Sequence, residues 1–119
     1  MSFNVDATQQ ALVRLLDATV ARQRVLANNL ANYDTPGYIR QDLPFESDLA
    51  EAMQRGDMST FKPQVTTDKT DAPRADGNNV KIERELAELN QNLLLHQMAV
   101  QLMQTKMTMQ RAAITGRSM

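Results

Sequence analysis

The chain has no cysteine and no tryptophan, and only two tyrosines and three phenylalanines in 119 residues. The missing cysteine excludes disulfide bonds, thiol catalysis and cysteine-ligated zinc. The shortage of aromatic anchors is unlike a compact enzyme, whose core and pocket draw heavily on them. No apolar run approaches the roughly 18–20 residues of a membrane span. The first residues, MSFNVDATQQ, show no basic stretch followed by an apolar one, so no cleaved signal peptide is expected. An excess of one charge is also missing. The net charge of −1 supplies no basic field for nucleic acid or an anionic membrane surface. The apolar content comes mostly from Ala, Leu, Val and Met, the side chains of helix–helix contacts.

Proline and glycine are scarce and unevenly placed. All four prolines (Pro36, Pro44, Pro63, Pro73) lie between positions 36 and 73, together with Gly37 and Gly56, and Gly77 follows closely. They divide the chain into an N-terminal helical arm (1–33), a turn and loop-rich middle (34–79) and a C-terminal helical arm (80–119). The arms carry +1 and +2 and the middle carries −4. An acidic, proline-broken segment with few apolar residues is expected to be flexible in the free chain. Within it, Leu49, Ala50, Ala52 and Met53 allow a short helix near 45–58.

The two arms have helical periodicity. In the C-terminal arm Leu86, Leu89, Leu93, His96, Val100, Met103, Met107, Gln110 and Ile114 follow alternating steps of three and four, a heptad seam. A second stripe runs through Leu95, Ala99, Leu102, Met109 and Ala113. The N-terminal arm offers Leu12, Leu16, Thr19, Gln23, Leu26 and Leu30, with Ala11, Leu15, Ala18 and Val25 beside them. Thr19 and Gln23 are polar positions of the kind that weaken a helix pair while fixing its register. The expected fold is mainly α, with long terminal helices pairing as a coiled-coil-like hairpin. Each arm has two apolar stripes, more than one antiparallel partner covers, so neighbouring chains are expected to cover the rest.

Little in the sequence points to chemistry. His96, the only histidine, occupies a seam position, and Asn92 and Val100 a turn away are poor metal-site companions. Glu83, Glu85 and Glu88 read as the solvated first turn of a helix, where acidic groups suit the macrodipole. Ser2, Ser47, Ser59 and Ser118 lack a local histidine or a nucleophile-elbow context. Gly37, Gly56 and Gly77 are isolated, so there is no phosphate-binding loop. The methionines read as packing side chains suited to variable interfaces. No catalytic residue, cofactor site or metal site is expected.

The densest local pattern is Leu26-Ala-Asn-Asn-Leu-Ala-Asn-Tyr-Asp-Thr-Pro-Gly-Tyr38. Thr35-Pro36-Gly37-Tyr38 suits a type II turn, with proline presetting φ and glycine taking the positive φ. A helix end explains Asn32 onward. It leaves Asn28 and Asn29, a full turn earlier, without a reason.

This stretch resembles the N-terminal signature of the rod, hook and hook-associated axial proteins of the bacterial flagellum, roughly A-N-N-[IL]-A-N-x-x-T-x-G-Y. The short length resembles the proximal rod proteins among them. Arg40-Gln-Asp-Leu-Pro-Phe-Glu46, Asp76-Gly-Asn-Asn-Val80 and Glu83-Arg-Glu-Leu-Ala-Glu-Leu89 narrow the resemblance to one proximal rod family rather than its sister, the FlgC type. Tyr33 departs from the pattern, where a small residue is usual, and 47–75 has no counterpart in it. The resemblance implies a structural subunit that polymerises through its terminal helices into the proximal rod, the drive shaft that transmits torque across the periplasm. The implied partners are other copies of the chain, rod proteins of the FlgC and FlgF type, the adaptor FliE and the flagellar type III export apparatus. The route it implies is export from the cytoplasm without signal-peptide cleavage, with no membrane insertion and no nucleic acid. Asn28, Asn29, Asn32, Thr35, Pro36, Gly37 and Tyr38 would then be assembly residues, and Asp76, Gly77, Asn78 and Asn79 the turn opening the C-terminal arm. A competing reading is a soluble coiled-coil adaptor or secretion chaperone, which accounts for the helices but not for the acidic middle or for TPGY.

Overall fold

In the computed structural model, which describes residues 6–116, the first helix begins where the sequence supplies a cap. The Asp6 carboxylate accepts from the Gln9 backbone N–H at 2.8 Å, satisfying one of the orphan donors of a helix start. Helix α1 then runs Ala7–Ala31, with neither glycine nor proline inside it. It stops at Asn32, whose backbone N–H and side-chain amide both return to the Asn28 carbonyl, at 3.1 and 2.8 Å. Helix α3 is longer, Ile82–Thr115, and closes on Gly116 at φ +73°, the left-handed cap that glycine adopts without strain.

The two long helices lie antiparallel as a hairpin. Asn29 meets Glu85 at the hinge, Thr19 meets His96 midway and Gln9 meets Gln110 at the open end. The result is a rod of 65 × 27 × 16 Å with a radius of gyration of 18.3 Å, against roughly 13–14 Å for a compact domain of this length.

Between the helices, strands β1 (Gln41–Asp42) and β2 (Thr66–Thr67) pair antiparallel, Gln41 opposite Thr67 and Asp42 opposite Thr66. They tie the neck of a loop that holds helix α2, Glu46–Arg55, and a single 3-10 turn, Met58–Thr60. Phe45, Leu49, Ala52, Met58 and Phe61 from this loop pack on Ala11, Leu15 and Ala18 of α1 and Leu95 of α3. The two phenylalanine rings meet edge-on, 6.5 Å apart at 80°, and the Arg22 guanidinium lies 3.9 Å over the Phe45 ring. The short helix thus falls inside the expected 45–58, and the middle has its own apolar contacts in the folded subunit. The apolar core sits under this middle segment, off the main axis of the hairpin.

The seam between α1 and α3 is largely polar. On α1, Leu12, Thr19 and Leu26 are buried and Leu16, Gln23 and Leu30 half-buried. On α3, Leu89, His96, Met103 and Gln110 are half-buried along the contact, and so is Val100. The other expected seam positions face away: Leu86, Leu93, Met107 and Ile114 are exposed. Their place is taken by the row one residue earlier, with Glu85, Asn92 and Ala99 buried and Lys106 half-buried. The apolar seam expected through Leu86 and Leu93 is therefore corrected by one residue. The physical reason is hydrogen bonding. Asn92 donates to the Thr19 carbonyl at 2.7 Å and to Gln23 Oε1 at 2.9 Å. Thr19 Oγ1 lies 2.8 Å from His96 Nδ1, and the Gln9 and Gln110 amides are 3.0 Å apart.

Candidate functional site

The hinge brings together four pieces of chain that are far apart in sequence. Asn29, wholly buried, uses all of its hydrogen-bonding capacity. Its amide donates to the Gln41 carbonyl at 2.7 Å and to Glu85 Oε2 at 3.1 Å. Its Oδ1 accepts from the Gln41 backbone N–H at 2.9 Å and from the Tyr38 hydroxyl at 3.1 Å. A carboxamide alone among side chains offers two donors and a two-fold acceptor in this way. Burial, then the nearby Glu85 charge, hold the Tyr38 hydroxyl above its usual pKa, so it stays a donor. Asn32 acts locally: its backbone and amide cap α1, and its Oδ1 accepts from Thr35 Oγ1 at 3.0 Å. Asn28 is exposed and contributes only its carbonyl.

The signature turn and the turn before α3 are fitted to each other. The Thr35–Tyr38 turn closes with Tyr38 N–H on the Thr35 carbonyl at 3.2 Å, and Gly37 sits at φ +75°. Gly37 N–H donates to the Asp76 carbonyl at 2.8 Å. Gly77, at φ +85°, approaches so closely that a Cβ there would lie 3.2 Å from Gly37 Cα. The buried Asn78 amide donates to the carbonyls of Asn32, Tyr33 and Thr35 at 2.8, 3.0 and 2.8 Å, so α1 is capped from across the hinge. Asn79 accepts from the Arg40 N–H at 2.7 Å and donates to the Asp68 carbonyl at 2.8 Å. Pro36 is exposed at the tip. Tyr33, the departure from the signature, serves as a platform: the Arg74 guanidinium lies 4.6 Å from its ring and donates to the Tyr33 and Val80 carbonyls.

Arg40 lies at the centre of the joint and is completely buried. Its Nε is 2.6 Å from Glu85 Oε1, its Nη1 2.5 Å from Asp68 Oδ2 and its Nη2 2.6 Å from Glu88 Oε2. Arg84 reaches two of these acids, Asp68 and Glu88, from the rim and adds Asp71. Burial alone would raise the Asp68 carboxyl; hydrogen bonds from Thr70 and Arg40 and the Arg84 charge outweigh it and hold the group well below the carboxylate range. Burial would lower the Arg40 guanidinium, and the bonds and charges of Glu85, Glu88 and Asp68 keep it firmly charged. The reading of Glu85 as a solvated helix start is thus overturned, because a buried guanidinium needs carboxylates at its level. In the sequence Arg40 stands out only as part of a family motif, and Arg74, Asp68 and Arg84 carry no local sign of a role.

Outside the joint, the most distinctive surface is apolar. Leu86, Leu93, Leu94, Met98, Leu102, Met107, Met109 and Ile114 are each about half exposed along α3, with Val13 and Val20 on α1. Among the described residues no group of three or more His, Asp or Glu side chains is arranged to hold a metal ion, and no helix is long and apolar enough to cross a membrane.

A slender hairpin with a pinned hinge and an apolar outer face has the layout of a structural subunit. Residues 7–38 match the family described as flagella basal body rod protein. The chain is 34% identical over 116 residues to the flagellar basal body rod protein FlgB of Escherichia coli (strain K12), covering 81% of this chain and 84% of that one. It is 30% identical over 121 residues to FlgB of Bacillus subtilis (strain 168), covering 92% and 94%. With FlgB of Borreliella burgdorferi it shares 31% identity over 104 residues, 70% of this chain and 77% of the relative. The chain belongs to the FlgB family of flagellar basal-body rod proteins, and its function is that of a structural rod subunit. The adaptor or chaperone alternative is not favoured.

Proposed function

We propose that the subunit polymerises through the outer faces of its two terminal helices to form a layer of the proximal rod. The observation that carries this reading is the half-exposed leucines and methionines in two stripes along α3, which no segment of the described chain covers. Exposed apolar surface on this scale marks a protein–protein contact. In this reading the chain works as three segments. The arms, 1–33 and 80–119, make the tube wall, and the middle, 34–79, closes the hinge and covers one face of α1. Asn28, Thr35 and Pro36 lie at the exposed tip, where they would touch neighbouring subunits. Asn29, Asn32, Gly37, Tyr38 and the turn Asp76–Asn79 would set the shape of that tip.

The partners proposed are further copies of the chain, rod proteins of the FlgC and FlgF type, and the adaptor FliE. The export apparatus of the flagellum would deliver the chain across the inner membrane to the rod in the periplasmic space, without signal-peptide cleavage. A long, thin hairpin held by polar contacts rather than by a large core suits a chain that passes through a narrow channel and refolds beyond it.

The test is Leu93→Asp in a motile strain. Leu93 is exposed in the subunit, so the purified variant should keep its helicity and unfold within about 0.5 kcal/mol of the parent. Basal bodies should lack a rod and cells should not swim, because the charge would be buried in the assembled contact. Normal swimming would sink the proposal.

A further inference from the structure

The face that α3 turns toward α1 is the more polar of two rows set one residue apart. Glu85, Asn92 and Ala99 are inside, while Leu86 and Leu93 lie outside with Val100 at the edge. A roll of α3 by one residue, about 100°, would exchange the two rows and leave Leu89, His96 and Met103 at the boundary. Burial of apolar surface by itself favours the exchanged arrangement. Something specific therefore holds the observed one.

Apart from Leu95, which packs on the core under the middle segment, the holding contacts along this face are polar and run from α3 to α1 or to the segment after it. Asn92 donates to the Thr19 carbonyl and to Gln23 at 2.7 and 2.9 Å and accepts from Arg22 Nε at 3.1 Å. Glu85 accepts from Asn29 at 3.1 Å and from Arg40 Nε at 2.6 Å. Among the described residues no buried side-chain nitrogen or oxygen lacks a partner. A roll would separate these groups from partners that cannot follow, because Thr19, Gln23 and Asn29 belong to α1 and Arg40 is anchored through its backbone to Asn79. Withdrawing partners from buried polar groups costs more than the bonds themselves contribute. A polar residue at a core position is a known means of choosing one helix register over another at some loss of stability.

We propose that Asn92 and the Glu85–Arg40 pair are rotational pins. They hold α3 against a one-residue roll that would bury Leu86 and Leu93, and so keep that row on the outside. The value of the outward row to neighbouring subunits rests on the polymerisation reading above; the roll itself does not.

The native chain has no cysteine, so introduced pairs report the rotation directly. Interpolating between the Thr19–His96 and Gln9–Gln110 contacts puts Leu16 about level with Val100, beside the inward-facing Ala99. Two reporters follow: Leu16→Cys with Ala99→Cys, and Leu16→Cys with Val100→Cys, each oxidised mildly as the purified subunit. In the otherwise native chain the position-99 reporter should give the higher disulfide yield. The pins are then removed together as Asn92→Ala, Glu85→Ala and Arg40→Met, which takes out the buried charge pair as a unit and leaves Arg84 on Asp68 and Glu88. The preference should reverse to position 100. Asn92→Ala alone should shift the yields the same way to a smaller extent, with helicity retained in circular dichroism. An unchanged preference for position 99 in the triple variant would overturn the proposal. So would loss of helicity in the triple variant with no shift in Asn92→Ala. Because these yields are read on the isolated subunit, the swimming of a Leu93→Asp strain judges the polymerisation reading separately.

Discussion

Asn28 and Asn29 are neighbours with opposite environments. Asn29 is sealed in the hinge by four hydrogen bonds, and Asn28 faces solvent. Asn29→Ala withdraws the acceptor of the part-buried Gln41 N–H and one of the two donors to Glu85 Oε2, so the subunit should lose about 2–4 kcal/mol in urea unfolding. Asn28→Ala should change the same measurement by no more than about 0.5 kcal/mol. Equal losses at the two positions would contradict the hinge described above. Asp68 has a distinct signature in pH. Its folded carboxyl is held below the ordinary 3.8, so its contribution is present above that value and is lost as pH falls through the folded one. Asp68→Asn should therefore unfold more easily than the parent at neutral pH, with the gap closing on the acid side below pH ~4. A gap that stayed constant down to pH ~2 would show that the charge is not the cause. At this scale the sequence made the asparagines conspicuous and the turn chemistry legible. Which of two adjacent asparagines is buried depends on a partner, Glu85, 56 positions away, and was not legible.

At the scale of elements, capping and breaking residues locate the helices well. Asp6 starts α1, Asn32 with Pro36 ends it, and Gly116 ends α3, each through a local effect of the residue type. The orientation of α3 about its own axis was misread by one residue. The reason is that Leu89, His96, Met103 and Gln110 belong to both candidate seams, so periodicity alone cannot separate them. Hydrophobicity then points to the wrong row. The deciding groups are Glu85 and Asn92, polar residues that a pattern search assigns to solvent. The joint that fixes them is electrostatic, and its energetics have a testable asymmetry. Arg40→Met leaves Glu85 buried without its guanidinium and should cost about 3–5 kcal/mol, read from the urea midpoint. Arg40→Met combined with Glu85→Leu removes the pair together and should recover most of that loss. A double variant no better than the single one would mean that the other acids, Asp68 and Glu88, carry the dependence.

For the whole molecule, the apolar side chains are divided between two jobs. A small group, led by Phe45, Leu49 and Phe61, fastens the middle segment to the hairpin. A larger set along α3 stays half exposed. A monomer that leaves this much apolar surface outside is poorly served by its own core, which fits a subunit whose stability is completed by assembly. That is why Leu93→Asp is expected to spare the subunit and abolish the rod.

Taken by itself, the sequence determined the mainly helical class, the turn at Thr35–Tyr38 and the membership of an axial protein family. All of these rest on short-range effects: helical periodicity, capping, proline and glycine geometry, and a contiguous motif. The tertiary structure alone decided which face of α3 meets α1, which asparagine is locked in the hinge, and that Arg40 is buried among Glu85, Glu88 and Asp68. These depend on contacts between residues dozens of positions apart, where buried polar groups must find partners. That requirement outweighs the hydrophobic pattern a sequence displays along one helix.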